Sequence, residues 1–333
     1  MRSIQPLSIN RDFTFALLTV LSILIKQGSD ICINKSNNFY LPYKPVILLI
    51  LFLLSEEKGS AGNLLSEINS TKKEALDFID RIDQSKENSL WPNIKPKLFY
   101  DNLILNLEKP TSFYPGRSTN FCAYGALSYL VMEKDPLGYV KFMNELYDKG
   151  EAVFNNNHFK PSSAVMKAAG SLKFKGVLDI RHAEQMWFLV LADKFKGYLN
   201  FFDKKFNEGD ENSFWAATNL AKFDRMVNKM CGVHVKAVGS DLIKPWVKDP
   251  YSYLSKRIDS NIVSLYINNR IIHKKNHDKI KFSIPTHFII LRDISKQDNM
   301  VTLRYWDYGG ETQVQVSPRT LKKIIFGIIT IDK

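Results

Sequence analysis

Three side chains in this 333-residue chain have the types and the order needed for acyl transfer: Cys122, His287 and Asp307. A thiolate can attack a carbonyl carbon, an imidazole can carry the proton in and out, and a carboxylate can hold that imidazole in one orientation. Each has a plainer reading when taken alone. A lone cysteine is usually a small buried hydrophobe. A lone strand histidine is an edge residue with a satisfied ring, and an Asp before Tyr308-Gly309-Gly310 suits a turn. Joint placement is what raises the three above these readings.

The placement of the last two follows from the stretch Pro285 to Gly310. Two runs rich in β-branched and aromatic residues flank a polar break at Ser295 to Asn299, which reads as an antiparallel hairpin. With the loop centred on Gln297 and no bulge, His287 and Asp307 are direct cross-strand partners. Opposed residues hold their Cβ atoms about 4.5–5.5 Å apart on one face, within reach of an imidazole–carboxylate hydrogen bond.

Cys122 follows Ser118, Thr119 and Asn120, three capping residue types, and precedes a long apolar run of good helix formers. This places it in the first turn of a helix. Unpaired N–H groups and the positive end of the dipole favour a thiolate there.

Composition bounds the rest. A hydrophobic content of 45% is ordinary for a globular chain, and its length suits two domains or one large one. Cys32, Cys122 and Cys231, an odd number at wide spacing, suggest neither a disulfide framework nor a zinc ribbon. Synthesis in a reducing, cytoplasmic compartment is the simpler expectation. The net charge of +12 lies almost wholly beyond residue 105, which hints at an anionic partner for that part. With no Lys/Arg block longer than two, a generally basic solvated surface accounts for it equally well.

Near the N-terminus, Phe13 to Ile25 and Val46 to Leu54 are apolar runs shorter than the ~20 residues that span a bilayer as a helix. The first resembles a signal-peptide core, yet Asp12 abuts it and no small-residue cleavage pattern follows. Both read as buried helices, with a membrane-inserting pair the lesser alternative. The pattern from Asn10 to Ile82 is helical throughout and suggests a small all-α unit that docks a partner. A helix-turn-helix reading of Tyr43 to Ile68 meets a segment with almost no net charge, which argues against DNA binding.

Segments 83–96 and 108–118 read as linkers around a short element near Leu98 to Leu107, so a boundary is expected near residue 105. Residues 1–105 then form the α-helical N-terminal domain, and 106–333 the catalytic one. Helical patterns follow at Leu137 to Tyr147, Ser163 to Gly170, Val177 to Phe195 and Trp215 to Met230. Strand patterns begin at Val233 and recur at Asn261 to Ile267, Ile280 to Ile294, Val301 to Trp306 and Glu311 to Val316. Ser317-Pro318 opens a short helix through Ile325, and Phe326 to Ile331 is a last strand. Helices carrying the nucleophile followed by an antiparallel sheet make an α+β fold.

The order and setting of Phe121-Cys122-Ala-Tyr-Gly-Ala-Leu, Thr286-His287-Phe-Ile-Ile-Leu and Tyr305-Trp306-Asp307-Tyr308-Gly309-Gly310 resembles the papain-like cysteine peptidase superfamily in its bacterial branches. The closing Leu321 to Ile331 looks like the last helix and strand of peptidase C39-like domains. The resemblance covers residues 118 to 331 loosely and those motifs more firmly. It implies a nucleophile helix packed on an antiparallel sheet, with Cys122 as nucleophile, His287 as general base and then acid, and Asp307 as the orienting residue. It implies an amide bond in a protein or peptide as substrate, with no cofactor or metal, and leaves peptide hydrolysis, deamidation, transglutamination and peptidoglycan hydrolysis open within the same chemistry; a secreted bacterial effector or toxin is one role open to such a chain. The glutamine that many members place about six residues before the cysteine is absent, because position 116 is Gly. Its oxyanion role would pass to the Cys122 backbone N–H and a side chain such as Asn120.

Weaker clusters stay structural. Cys231-Gly-Val-His234 lacks a second pair of zinc ligands, His273 and His277 lie in a Lys-rich connection, and His182-Ala-Glu184 reads as a helix face. Trp187 and Trp215 read as core. Two further functions compete with hydrolysis: a binding adaptor on a papain-like scaffold whose triad is unused, and nucleic-acid binding through the basic part.

Overall fold

The structure is a computed structural model, and it describes residues 70–116, 119–172, 180–196, 205–233, 235–269 and 284–332. The chain divides between Leu64 and Leu65, so all described residues belong to the second unit. The apolar runs at Phe13 and Val46, and nearly all of the expected N-terminal helical unit, lie outside the described residues.

Residue 105, the expected boundary, falls within α2 (Pro96–Glu108), which shares one core with the helices after it. Ahead of it, α1 (Lys72–Ile79) opens on a capping box: Thr71 Oγ1 accepts the Glu74 N–H, and the Glu74 carboxylate accepts the Thr71 N–H at 2.7 Å. The expected linkers are docked. Trp91 is fully buried, donating to Leu146 O at 2.8 Å, and Phe113 is buried in the same core.

Among the described residues, five helices follow before the sheet. Helix α3 (Cys122–Lys134), which starts at Cys122, is apolar on every side, with all residues from Ala123 to Met132 buried, which is the pattern of a central helix. Around it stand α4 (Pro136–Lys149), α6 (His182–Phe195) and α7 (Leu220–Cys231), with the short α5 (Ser163–Ala168) between α4 and α6 in sequence. Trp187 of α6 donates to Ser128 Oγ of α3 at 2.7 Å, so the one buried hydroxyl on that contact is satisfied. A small hairpin, β1 (Ala152–Phe154) and β2 (Asn157–Phe159), closes at Asn155-Asn156 with φ of 45° and 60°. Left-handed Asn pairs are what a tight type I′ turn needs, and the sequence reading missed this one.

The sheet is fully antiparallel, in the order β3-β8-β4-β5-β6-β7. Its strands are β3 (Val235–Gly239), β4 (Asn261–Ile267), β5 (His287–Gln297), β6 (Met300–Asp307), β7 (Gly310–Val316) and β8 (Ile325–Asp332). Phe288 and Ile290 enter the core shared with α1 to α7, while Ile289 and Leu291 enter a second core with Leu254 of α8 (Pro250–Ser255) and Leu321 of α9 (Pro318–Ile324). Both faces are covered, which is why β5 begins as an unbroken apolar run after His287. Ser317 caps α9 by accepting the Thr320 N–H at 3.1 Å, with Pro318 at the first helical position. Among the described residues, no helix is long and apolar enough to cross a membrane.

Candidate active site

The first turn of α3 meets the sheet where a glycine permits it. A Cβ on Gly125 would stand 3.0 Å from the Trp306 ring, tighter than ordinary contact, so a glycine here suits the close approach of β6. Cys122 and Gly125 are three residues apart and share a helix face. The contact at Gly125 therefore turns Cys122 toward the end of β6, where Asp307 follows Trp306. Trp306 is itself fixed by donating from its indole nitrogen to Thr111 O at 2.8 Å.

Cys122 is half-buried and close enough to His287 for its sulfur to raise the proton affinity of the ring. Nε2 of the imidazole meets Asp307 Oδ1 at 2.5 Å. That leaves Nδ1 as the ring nitrogen available to the thiol. His287 and Asp307 are 1% and 4% exposed, so water does not compete for their bond. Burial by itself lowers the proton affinity of the imidazole. The Asp307 charge, the bond to it and the Cys122 sulfur outweigh burial and raise the pKa to about 10.

The route to this pairing differs from the expected one. Gln297 pairs with Met300 across a two-residue turn, Asp298-Asn299, with φ of 48° and 61°, so Ser295 to Gln297 are strand and the hairpin centre lies beyond Gln297. A bulge at Arg292 then shifts the register, and the ladder continues as Leu291 with Tyr305 and Ile290 with Trp306. Extended by one step, Asp307 stands opposite Ile289, and His287 is its diagonal neighbour. Diagonal Cα atoms lie about 7–8 Å apart, a gap that an imidazole and a carboxylate together close. The bulge sends Arg292 out of the ladder to hydrogen-bond Tyr129 of α3.

Two further residues hold the imidazole. Tyr308 stacks on the ring, with centroids 4.5 Å apart and planes 17° from parallel. Its φ is +44°, an uncommon conformation for a bulky residue, and with Gly309 at +82° it forms the two-residue turn between β6 and β7. Asp307 thus ends its strand at a turn and also binds the imidazole. The sequence reading allowed both roles in this one residue, and read Tyr308 as turn only.

The segment leading into Cys122 departs from the expected capping. Phe121 is the cap residue of α3 and makes no side-chain cap, while Thr119 Oγ1 accepts the Phe121 N–H at 3.3 Å. Asn120 leans the other way: its N–H donates to Glu211 O and its Nδ2 to Ser213 O, each at 2.8 Å. That second bond uses one of two amide protons. The first-turn N–H groups of α3, including that of Cys122, have no acceptor within the helix.

The residues set aside as structural behave differently from one another. Cys231 ends α7, fully inside the core, with Gly232 as its left-handed cap at φ 62°, and burial pushes its thiol up to about 12. His182 starts α6, where burial and then Lys95 lower its pKa, and its Nδ1 accepts the Lys95 N–H at 3.2 Å. Glu184 is not on an open helix face. It is fully buried against Arg181, and burial pushes it up to about 6 against the pull of that guanidinium. Arg181 also donates to Ser112 O at 2.7 Å, tying α6 to the segment that leads to Cys122. His234, His273 and His277 lie outside the described residues. Among the described residues, no group of three or more His, Cys, Asp or Glu side chains is placed to hold a metal ion.

No protein-family model matches the chain, and no curated protein matches it.

Proposed function

We propose that the protein is a papain-like cysteine hydrolase that cleaves an amide bond in a protein or peptide. The observation that carries this reading is the buried 2.5 Å contact of His287 Nε2 with Asp307 Oδ1, with the half-buried Cys122 close enough to raise the proton affinity of the same ring. A structural histidine has no need of both a dedicated carboxylate and a half-exposed thiol. The motifs around Cys122, His287 and Asp307 resemble the papain-like superfamily, which supports the same assignment.

In this reading the thiol passes its proton to His287 Nδ1, and Asp307 stabilises the imidazolium that results. The Cys122 sulfur attacks the amide carbon, and the carbonyl oxygen takes the negative charge within reach of the Cys122 backbone N–H. His287 gives its proton to the leaving nitrogen as the C–N bond breaks, leaving a thioester. Water then loses a proton to Nδ1 and attacks the thioester carbon. The C–S bond breaks, the acid is released and the thiolate returns.

The test is the pH dependence of Cys122 alkylation by iodoacetamide, followed by peptide mass spectrometry in the wild type and in His287→Ala. Reaction well below pH ~7 that disappears in the variant is the expected result, because a free thiol titrates near ~8.5. An ordinary thiol profile in both proteins would exclude the proposal.

A further inference from the structure

Away from the cysteine, on the flank where β2, the start of α5 and the last turn of α6 meet, there is a cavity of about 400 Å³. Its walls carry Lys160, Lys194, Lys196 and Lys205, with His158 beside them. Its floor is the buried pair Pro161 and Val190. The one acid in the lining, Asp193, has its Oδ2 occupied by the Ser162 N–H at 2.7 Å. Ser162 Oγ, also in the lining, is buried with no hydrogen-bond partner.

Ordinary surface chemistry explains only part of this. Cations near a helix C-terminus complement the dipole, which accounts for Lys194 and Lys196 on the last turn and cap of α6. It does not account for Lys160 and Lys205, which come from separate segments. Glu151 pairs with Lys160 at 3.2 Å and with His158 at 3.4 Å, so those two are partly compensated. Lys194 and Lys205 have no carboxylate within ion-pair distance among the described residues. The ammonium of Lys194 lies instead 5.7 Å from the Phe159 ring centroid. Like charges that converge on one concavity repel, and low-dielectric walls focus their field into it. An anion relieves that repulsion.

We infer that this cavity is a binding site for a small, multiply charged anion bearing two or more phosphate groups. The volume is that of a small-molecule site, too confined for a duplex. The several ammonium groups supply point charges to separate phosphates, and the unpartnered Ser162 hydroxyl is a further hydrogen-bond donor beside them. This assignment is independent of the cysteine chemistry and survives its failure.

Sodium tripolyphosphate, titrated calorimetrically into the full chain at low salt, is the probe. Saturable binding at one site is expected, weakened about tenfold or more in Lys194→Gln/Lys205→Gln and unchanged in Lys322→Gln/Lys323→Gln, an exposed pair on α9. Circular dichroism checks that both variants keep their fold. Absence of saturable heat, or equal weakening in both variants, overturns the site. So does a short single-stranded oligonucleotide that binds more tightly than tripolyphosphate and ignores Lys194 and Lys205, since the basic charge would then serve nucleic acid.

Discussion

Cys122 and Cys231 occupy opposite ends of two helices that pack against one another, and chemically they have little in common. Cys122 begins α3, half-buried, with an imidazole across from it. Cys231 ends α7, in the core, where burial pushes its thiol up to about 12 against the opposing pull of the Lys134 charge. The two histidines repeat the contrast. His287 has a carboxylate on one nitrogen and a sulfur beside the other, and is driven toward its charged form. His182 has its Nδ1 lone pair occupied by a backbone N–H and is driven toward its neutral form. The residue type is the same in each pair, and the partners decide its chemistry.

The largest break in this comparison comes from deleting each thiol. Cys122→Ala is expected to lower hydrolysis by about 10³-fold or more while leaving the melting temperature nearly unchanged. Cys231→Ala should do the reverse, keeping full activity and losing roughly 1 kcal/mol in a denaturant titration, because it empties a buried volume. Next in size, His287→Ala should cut alkylation of Cys122 at acid pH by on the order of 10²-fold, and His182→Ala should leave it unchanged. Equal loss in both would mean that the ring matters only for packing.

Asp307→Asn sharpens the source of the charge effect. The amide keeps a hydrogen-bonding partner near Nε2 but removes the negative charge, so the imidazole pKa should fall and acid-side labelling should drop by about tenfold or more. A profile that does not move would show that the carboxylate charge is idle. Stability against pH provides a further separation. His287 has a folded pKa raised above its unfolded value, against the opposing effect of burial, so its contribution is complete below pH ~6.5 and is lost as pH rises through about 10. Glu184, raised by burial to about 6, has its own window: its contribution is complete below pH ~4.3 and is lost as pH rises through about 6. Thermal melts of the wild type and His287→Gln should therefore differ most below pH ~6.5 and converge as pH rises toward about 10, with the flatter pH dependence in the variant. The smallest effect is expected from Tyr308. Tyr308→Ala removes the stacked ring and should slow labelling by a few-fold, and Tyr308→Gly should also relieve the positive φ and partly restore stability, by about 1 kcal/mol.

Much of this was legible in the chain. The strand at Asn261 to Ile267 falls where its alternation and β-branched residues put it, and Ser317-Pro318 starts a helix as capping chemistry requires. Trp187 and Trp215 are both fully buried, as their apolar surroundings implied. The readings that went astray concern contacts that composition and short periods do not reveal. Residues 83–96 have linker composition, yet Trp91 finds a carbonyl on α4 and docks the whole stretch. Asn155 and Asn156 marked a hairpin turn that the short strands around them gave no help in recognising. Glu184 read as part of a helix face although Arg181, its partner, stands only three residues before it; its burial is what packing added.

What the sequence alone determined is local: which residues carry reactive groups, their order, and where turns, caps and apolar periods begin and end. Those properties depend on backbone preference and side-chain period over a few residues, so they can be read in place. The tertiary structure decided the rest. It replaced direct pairing of His287 and Asp307 with a diagonal one, through a bulge at Arg292 that extends onto Tyr129. Close approach at Gly125 turned Cys122 toward the imidazole, and four lysines from separate segments came to line one cavity. Register shifts, close approaches and convergent charge are set by contacts between residues distant in sequence, whose energies appear only once the chain has folded.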